Sequence, residues 1–247
     1  MWEDFLLYVV VGFVAQMVDG AIGMAYGITS TSVLLSFGVA PATASACVHA
    51  AETFTTFASG ISHWKLGNID KDLVRRLAIP GMIGGATGAY VLSNIDGSVI
   101  KPFISGYLLL MGLFILWQAY RKTSEDREPP HNVVPLGLVG GFMDSVGGGG
   151  WGPIVTTTLI GQGAKPRYAI GSVNLAEFFV TVTISATFIL TVGLKLWPII
   201  SGLILGGVVA APFAAMATKR IPDKALMIIV GCVVSLLSLR TILVALH

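Results

Sequence analysis

Shifted along itself by 125 residues, the chain matches itself without a gap from residue 12 to residue 56. Gly12 falls on Gly137, Asp19 on Asp144, Gly23 on Gly148, Gly27 on Gly152 and Thr31 on Thr156. The register then holds through Gly38 and Gly163, Pro41 and Pro166, Val48 and Val173, Glu52 and Glu177, Phe54 and Phe179, and Thr56 and Thr181. A match this long predicts two copies of one structural unit. It resumes more weakly further on, where Gly84-x-x-x-Gly88 answers Gly202-x-x-x-Gly206, both of the small-residue spacing that lets membrane helices approach closely. The halves, 1–120 and 133–247, are joined by a polar linker at 121–132, predicted to be cytoplasmic.

Composition decides what surrounds the two units. The chain of 247 residues is 54% hydrophobic and 11% charged, with a mean hydropathy of +0.81, against about a quarter charged in an ordinary soluble domain. A soluble enzyme domain is excluded. The long, nearly continuous apolar runs Leu77–Leu92, Phe103–Trp117, Leu196–Met216 and Ala225–Leu246 lack the alternation of a membrane β-barrel. The expectation is an all-α integral membrane protein. A formal net charge of +2, scattered along the chain, does not build a phosphate-tracking surface, so nucleic acid is excluded as a partner. Cys47 and Cys232 sit inside apolar runs and read as small buried hydrophobes. Met1-Trp2-Glu3-Asp4 has no basic region ahead of the apolar run, so the first segment reads as retained.

Three segments of each half are long enough to cross a hydrocarbon core about 30 Å thick: 41–62, 76–93 and 101–120, then 167–192, 196–217 and 224–245. The opening stretches, 5–37 and 133–163, differ. Asp19-Gly20-Ala21-Ile22-Gly23 breaks the first and Asp144-Ser145-Val146-Gly147-Gly148-Gly149-Gly150 the second, leaving arms too short for a comfortable crossing. Each is a broken span or a re-entrant hairpin, and basic residues discriminate, because Lys and Arg of short loops stay cytoplasmic. If both openings turn back, the halves are inverted, with 12 basic residues inside and only Lys101, Lys195 and Arg240 outside. If both cross, the halves run parallel and the split is 9 to 6. The prediction is two inverted-topology repeats, each a broken helical hairpin followed by three transmembrane helices, with both termini outside.

Inverted repeats with interrupted helices are the recurring construction of secondary transporters, with the substrate near the midplane. Gly20, Gly23, Gly147, Gly148 and Gly149 would let backbone N–H groups approach an anion at the tips; tight packing is the alternative. Asp19 and Asp144 precede a helix start in both halves, so they fit an N-cap, a proton site, or both. Ser45, His49, Glu52 and Thr56 are spaced four, three and four apart on one helical face, and Asn174, Glu177 and Thr181 form the corresponding stripe. Glu52 and Glu177 must face the bundle interior, either bonding a hairpin backbone or serving proton coupling or cavity lining. His49 has Asn174 at its matching position, and reads as a satisfied imidazole or as part of an anion or proton site. A Ser45–His49 hydrolase couple has Ile170 and Asn174 opposite it, which argues against an enzyme, so no catalytic residues are assigned. No His-Glu-x-x-His or other ligand spacing suggests zinc, and no metal or cofactor is expected.

The chain resembles the TauE/SafE family of sulfite and organosulfonate exporters. The resemblance rests on Asp19-Gly20-x-x-Gly23, Pro41-x-x-Ala44, the Gly-Phe-Met-Asp144 to Trp151-Gly-Pro153 segment and Gly171-Ser-x-Asn174-x-x-Glu177, and it covers nearly the whole chain. It implies a bacterial inner-membrane transporter exporting a small sulfur-containing anion, coupled to protons. The differences between halves, His49 against Asn174 and Tyr26 against Trp151, would bear on which anion fits. Partners on this reading are the anion, protons and the lipid bilayer; a homo-oligomer stays open. The rival reading outside the carrier class is a passive anion channel.

Overall fold

The computed structural model describes residues 4–22, 24–120, 132–162, 164–194, 196–217 and 223–246, and among them it is helical with no strand. Ten α-helices follow in order: α1 (Phe5–Ile22), α2 (Tyr26–Ser36), α3 (Pro41–Lys65), α4 (Lys71–Ser93), α5 (Gly97–Gln118), α6 (Val134–Gly147), α7 (Thr157–Gly161), α8 (Pro166–Thr191), α9 (Trp197–Ala217) and α10 (Asp223–Leu246). A π-helical turn at Gly152–Thr156 leads directly into α7. Most of the linker at 121–132 and Gly23 lie outside the described residues.

Local chemistry sets the boundaries. Pro41 and Pro166 open α3 and α8, at the first-turn position where proline's missing N–H costs nothing. The Asp70 carboxylate accepts the amides of Asp72 and Leu73 at 3.0 and 3.2 Å, so α4 starts at Lys71, ahead of its apolar run. Asp96 starts α5 by accepting the Ser98 amide at 2.7 Å.

Helices of the two halves interleave. The first helix of each half packs on the other half's glycine-spaced helix, α1 on α9 and α6 on α4, while α3 packs on α8 and α5 on α10. A Cβ on Gly84 would run into the Leu138 carbonyl, and one on Gly206 into the Val9 carbonyl. These glycines therefore let backbones touch, which is how helices gain dispersion energy where lipid offers no hydrophobic drive.

Cross-contacts fix helix directions. The α3–α4 turn lies beside the start of α8, where the Asp70 amide donates to Ser172 Oγ at 2.8 Å. At the opposite end Ser93 and Thr191, closing α4 and α8, share a hydroxyl contact at 2.8 Å. Helices α4 and α8 thus run side by side, and α3 runs antiparallel to α8. The side chain of Lys224 sits 4.2 Å from the Tyr120 ring centre, placing the start of α10 at the end of α5. Arg240, late in α10, donates to the Ser36 carbonyl at 3.4 Å, so α2 ends where α10 ends.

Large apolar side chains remain exposed along the long helices, among them Phe54, Ile83, Phe103, Leu110, Leu190 and Leu236, as a lipid-facing surface requires and a water-facing one does not tolerate. Three described helical stretches are long and apolar enough to cross a membrane on those grounds alone: Gly97–Gln118, Tyr168–Thr191 and Met227–Val244. The crossings expected on α3, α4 and α9 are neither met nor excluded on those grounds among the described residues. Helix α3 falls short on composition because Ser45, His49, Glu52 and Thr56 are buried against protein, and α4 because its first turns carry Lys71, Asp72, Arg75 and Arg76.

Candidate functional site

The chain breaks twice, and the breaks meet. In the first half α1 gives way to α2 across Met24 and Ala25, and Ala25 takes a φ of 107°. In the second, α6 ends on Gly147; Gly148 and Gly149 follow with φ of 67° and 149°, backbone states that residues with a Cβ enter only under strain. A Cβ on Gly149 would overlap the Ile28 amide and Gly27, so the two broken segments lie in direct backbone contact. The Thr31 hydroxyl donates to the Gly148 carbonyl, and the Tyr107 hydroxyl donates to the Gly149 carbonyl at 3.2 Å.

Asp19 and Asp144 do matching work. Asp144 Oδ1 accepts the Trp151 amide at 2.9 Å and Asp19 Oδ1 the Tyr26 amide at 3.4 Å, each carboxylate holding the first turn after its break. The amides of Gly148 and Gly149 both turn back to the Asp144 carbonyl. Those three donors of the second tip are therefore spent within the hairpin in this arrangement, rather than offered to a solute. Tyr26 and Trp151 anchor their arms across the bundle, the Tyr26 hydroxyl on the Leu203 carbonyl and Trp151 Nε1 on the Val173 carbonyl, both at 3.2 Å.

The stripe on α3 faces the second break. Ser45 Oγ donates to the Ser145 carbonyl at 2.7 Å. His49 is fully buried; its Nδ1 lies 2.8 Å from the Ser45 carbonyl and its Nε2 lies 3.2 Å from Asp144 Oδ2. Glu52 is buried with Oε2 lacking a hydrogen-bond partner, and the Gly27 amide is directed at its carboxyl. Ser45 Oγ also lies 3.2 Å from His49 Nδ1, but each of these two atoms is nearer a backbone carbonyl, that of Ser145 at 2.7 Å and that of Ser45 at 2.8 Å.

On α8, Asn174 and Glu177 are buried. Asn174 Nδ2 donates to the Ile170 carbonyl at 3.0 Å and its Oδ1 accepts from Ser59 at 3.3 Å. Thr56 and Thr181 return their hydroxyls to their own helix backbones, at 2.6 Å to Glu52 and 3.0 Å to Phe178. Asp19, Glu52, Asp144 and Glu177 share one electrostatic neighbourhood. Gly20 lies in the last turns of α1. Sequence reading missed Thr31 and Tyr107. Thr31 was visible as one member of a repeat pair with Thr156, but nothing in the apolar run of α5 marked Tyr107. An apolar groove of about 330 Å³ lined by Val39, Ala40, Thr43, Val192, Gly193 and Leu196 lies at the start of α3 and the end of α8, away from the breaks.

The profile of the family described as "Sulfite exporter TauE/SafE" matches residues 8–241. The chain is 42% identical over 250 residues to "Probable membrane transporter protein YtnM" of Bacillus subtilis (strain 168), an alignment covering 98% of this chain and 83% of that relative. No solved structure matches. With most of its length matched to that profile, and with the interrupted, lipid-facing helices just described, the chain is a multi-pass membrane transporter, not an enzyme, and belongs to the TauE/SafE sulfite exporter family.

Proposed function

We propose that the protein is a secondary-active exporter of a small sulfur-containing anion, sulfite or an organosulfonate, working by alternating access between two inverted-topology repeats. The observation that carries this reading is the meeting of the two breaks, Gly27 against Gly149 and Thr31 on the Gly148 carbonyl. Irregular backbone is tolerated at membrane depth where it is buried in protein or lines a path. The antiparallel run of α3 and α8, which occupy matching repeat positions, supports the inverted arrangement. Lys71, Arg75, Arg76, Lys165 and Lys224 then fall on one side, the cytoplasmic side of the inner membrane, and both termini on the other.

Tips in contact leave no space between them, so the solute enters when the hairpins part. Parting frees the Thr31 hydroxyl, and the second amide hydrogen of Asn174 supplies a further donor, while His49 Nδ1 stays on the Ser45 carbonyl. Four carboxyls nearby repel an anion when ionised, so protons travel with it. A dianion accompanied by one proton still moves one net negative charge, which a potential negative inside drives outward by about 2.3 kcal/mol per 100 mV.

The test is flux in proteoliposomes: labelled sulfite dianion leaves against its gradient when a potential is imposed, and a sulfonate, neutral once it carries one proton, when a pH gradient is imposed, each with saturation. Absence of movement under every imposed gradient defeats the substrate reading, and linear, non-concentrative flux favours a channel. Topology is tested separately by cysteine labelling at Lys165 and Lys101. Reagent confined to the periplasm reaches position 101 only; labelling at 165 from that side overturns the inversion.

A further inference from the structure

The contact between His49 and Asp144 brackets a position between two buried atoms that a proton or a metal ion can fill. His49 Nδ1 lies 2.8 Å from the Ser45 carbonyl. A carbonyl only accepts, so Nδ1 carries the hydrogen. In the neutral imidazole, Nε2 then presents its lone pair, and it presents it to Asp144 Oδ2 at 3.2 Å, where an ionised carboxylate has lone pairs only. A proton there makes an ion pair or a hydrogen bond; a divalent ion there would bind both atoms at once, and a third ligand beside them favours the ion. Metal-binding histidines show this tautomer, one ring nitrogen on a carbonyl and the other free to ligate.

A third donor is already in place. Glu52, one turn along α3 from His49, is more than nine-tenths buried, and its Oε2 has no hydrogen-bond partner. One ligand atom each of His49, Glu52 and Asp144 lie within 4.8 Å of one another, all buried. Bonds of about 2.0–2.2 Å in a tetrahedral zinc site separate neighbouring ligand atoms by about 3.3 Å, close to the spacing of Nε2 and Oδ2. The Glu52 ligand atom lies within 4.8 Å of the other two, so it must draw in by up to about 1.5 Å to complete the same geometry. Asp144 Oδ1 is held by the Trp151 amide, which orients Oδ2 as an outer-shell partner orients a ligand.

We propose that His49, Glu52 and Asp144 form a binding site for a zinc-class divalent metal ion between α3 and α6. The ion cancels the charge of two buried carboxylates and keeps one coordination position open. The second half lacks the site, because Asn174 replaces the histidine. The assignment does not depend on which solute is carried.

The test uses the full chain purified in detergent, stripped with chelator and titrated with zinc by calorimetry. One zinc per chain is expected, with His49→Gln and Glu52→Gln each weakening binding by at least about tenfold and Cys232→Ser and His63→Gln leaving it unchanged. Cobalt in the wild-type chain gives the visible bands of a nitrogen and oxygen site without a thiolate charge-transfer band, a readout that holds even where a variant fails to fold. Sub-stoichiometric zinc in the wild-type chain, a thiolate band, or binding that follows Cys232 or His63 instead of His49 overturns the proposal.

Discussion

At the first break the chain turns through Ala25 with φ of 107°; at the second it turns through Gly148 and Gly149 with φ of 67° and 149°. The two breaks occupy equivalent repeat positions, with Met24 matching Gly149 and Ala25 matching Gly150. The difference follows from what each one meets. Gly149 is pressed against Gly27 and the Ile28 amide, and Gly150 against the Tyr107 hydroxyl, so the second tip has no room for a Cβ. Met24 and Ala25 are buried but keep their side chains, and the first half absorbs backbone strain at Ala25 instead. The carboxylates diverge likewise: Asp144 holds its amide at 2.9 Å and also meets His49, whereas Asp19 holds its amide at 3.4 Å. Two breaks that match in sequence thus differ in structure, one with its backbone pressed against a neighbour and one that keeps its side chains.

The largest expected effect tests that asymmetry directly. Gly149→Val forces backbone against backbone and adds strain of about 3 kcal/mol, so transport per inserted protein falls about a hundredfold. Met24→Val at the matching position lowers it only a few-fold; equal losses in proteoliposome flux would remove the distinction between tips. Next, Asp144→Ala strands His49 and unties α6, lowering stability in detergent by about 3 kcal/mol, while Asp19→Ala loses only a cap worth about 1 kcal/mol. Denaturant unfolding of the two variants side by side should return that order. Tyr26→Phe removes one buried hydrogen bond, to the Leu203 carbonyl, and should cost about 1 kcal/mol. Trp151→Phe loses the bond to Val173 and leaves a void, so it should cost more by the same measurement. The smallest effect has the opposite sign: Ala25→Gly relieves the positive φ and should raise stability by about 1 kcal/mol, whereas no such gain exists at Gly148 or Gly149.

Much of the local structure was legible because it depends on neighbours in sequence. The apolar runs announce helices in lipid, and the aspartate and glycine clusters announce breaks. Where reading along the chain fell short, the reason is physical. Hydropathy locates the apolar part of α4 but not its capped, charged first turn from Lys71. Composition alone ranks α3 as a weaker crossing than α5, since a stripe buried against protein and one exposed to lipid are not distinguished by residue type. Tip amides looked available for an anion, yet three of them are consumed by Asp144, its carbonyl taking Gly148 and Gly149 and its carboxylate Trp151. A hydrogen bond spanning four, five or seven residues competes for the same donors as any ligand, and only the folded geometry says which wins.

Taken alone, the order of residues dictated the helical class, the internal sequence match, the position of the breaks and the spacing that puts Ser45, His49 and Glu52 on one face. Folding decided who meets whom: Thr31 with Gly148, Tyr107 with Gly149, and His49 with Asp144 at a separation of 95 residues. Periodicity within a helix is set by a 3.6-residue turn and can be read from one strand of text. Contacts between halves depend on how two glycine-lined surfaces settle against each other, and that is a property of packing in three dimensions.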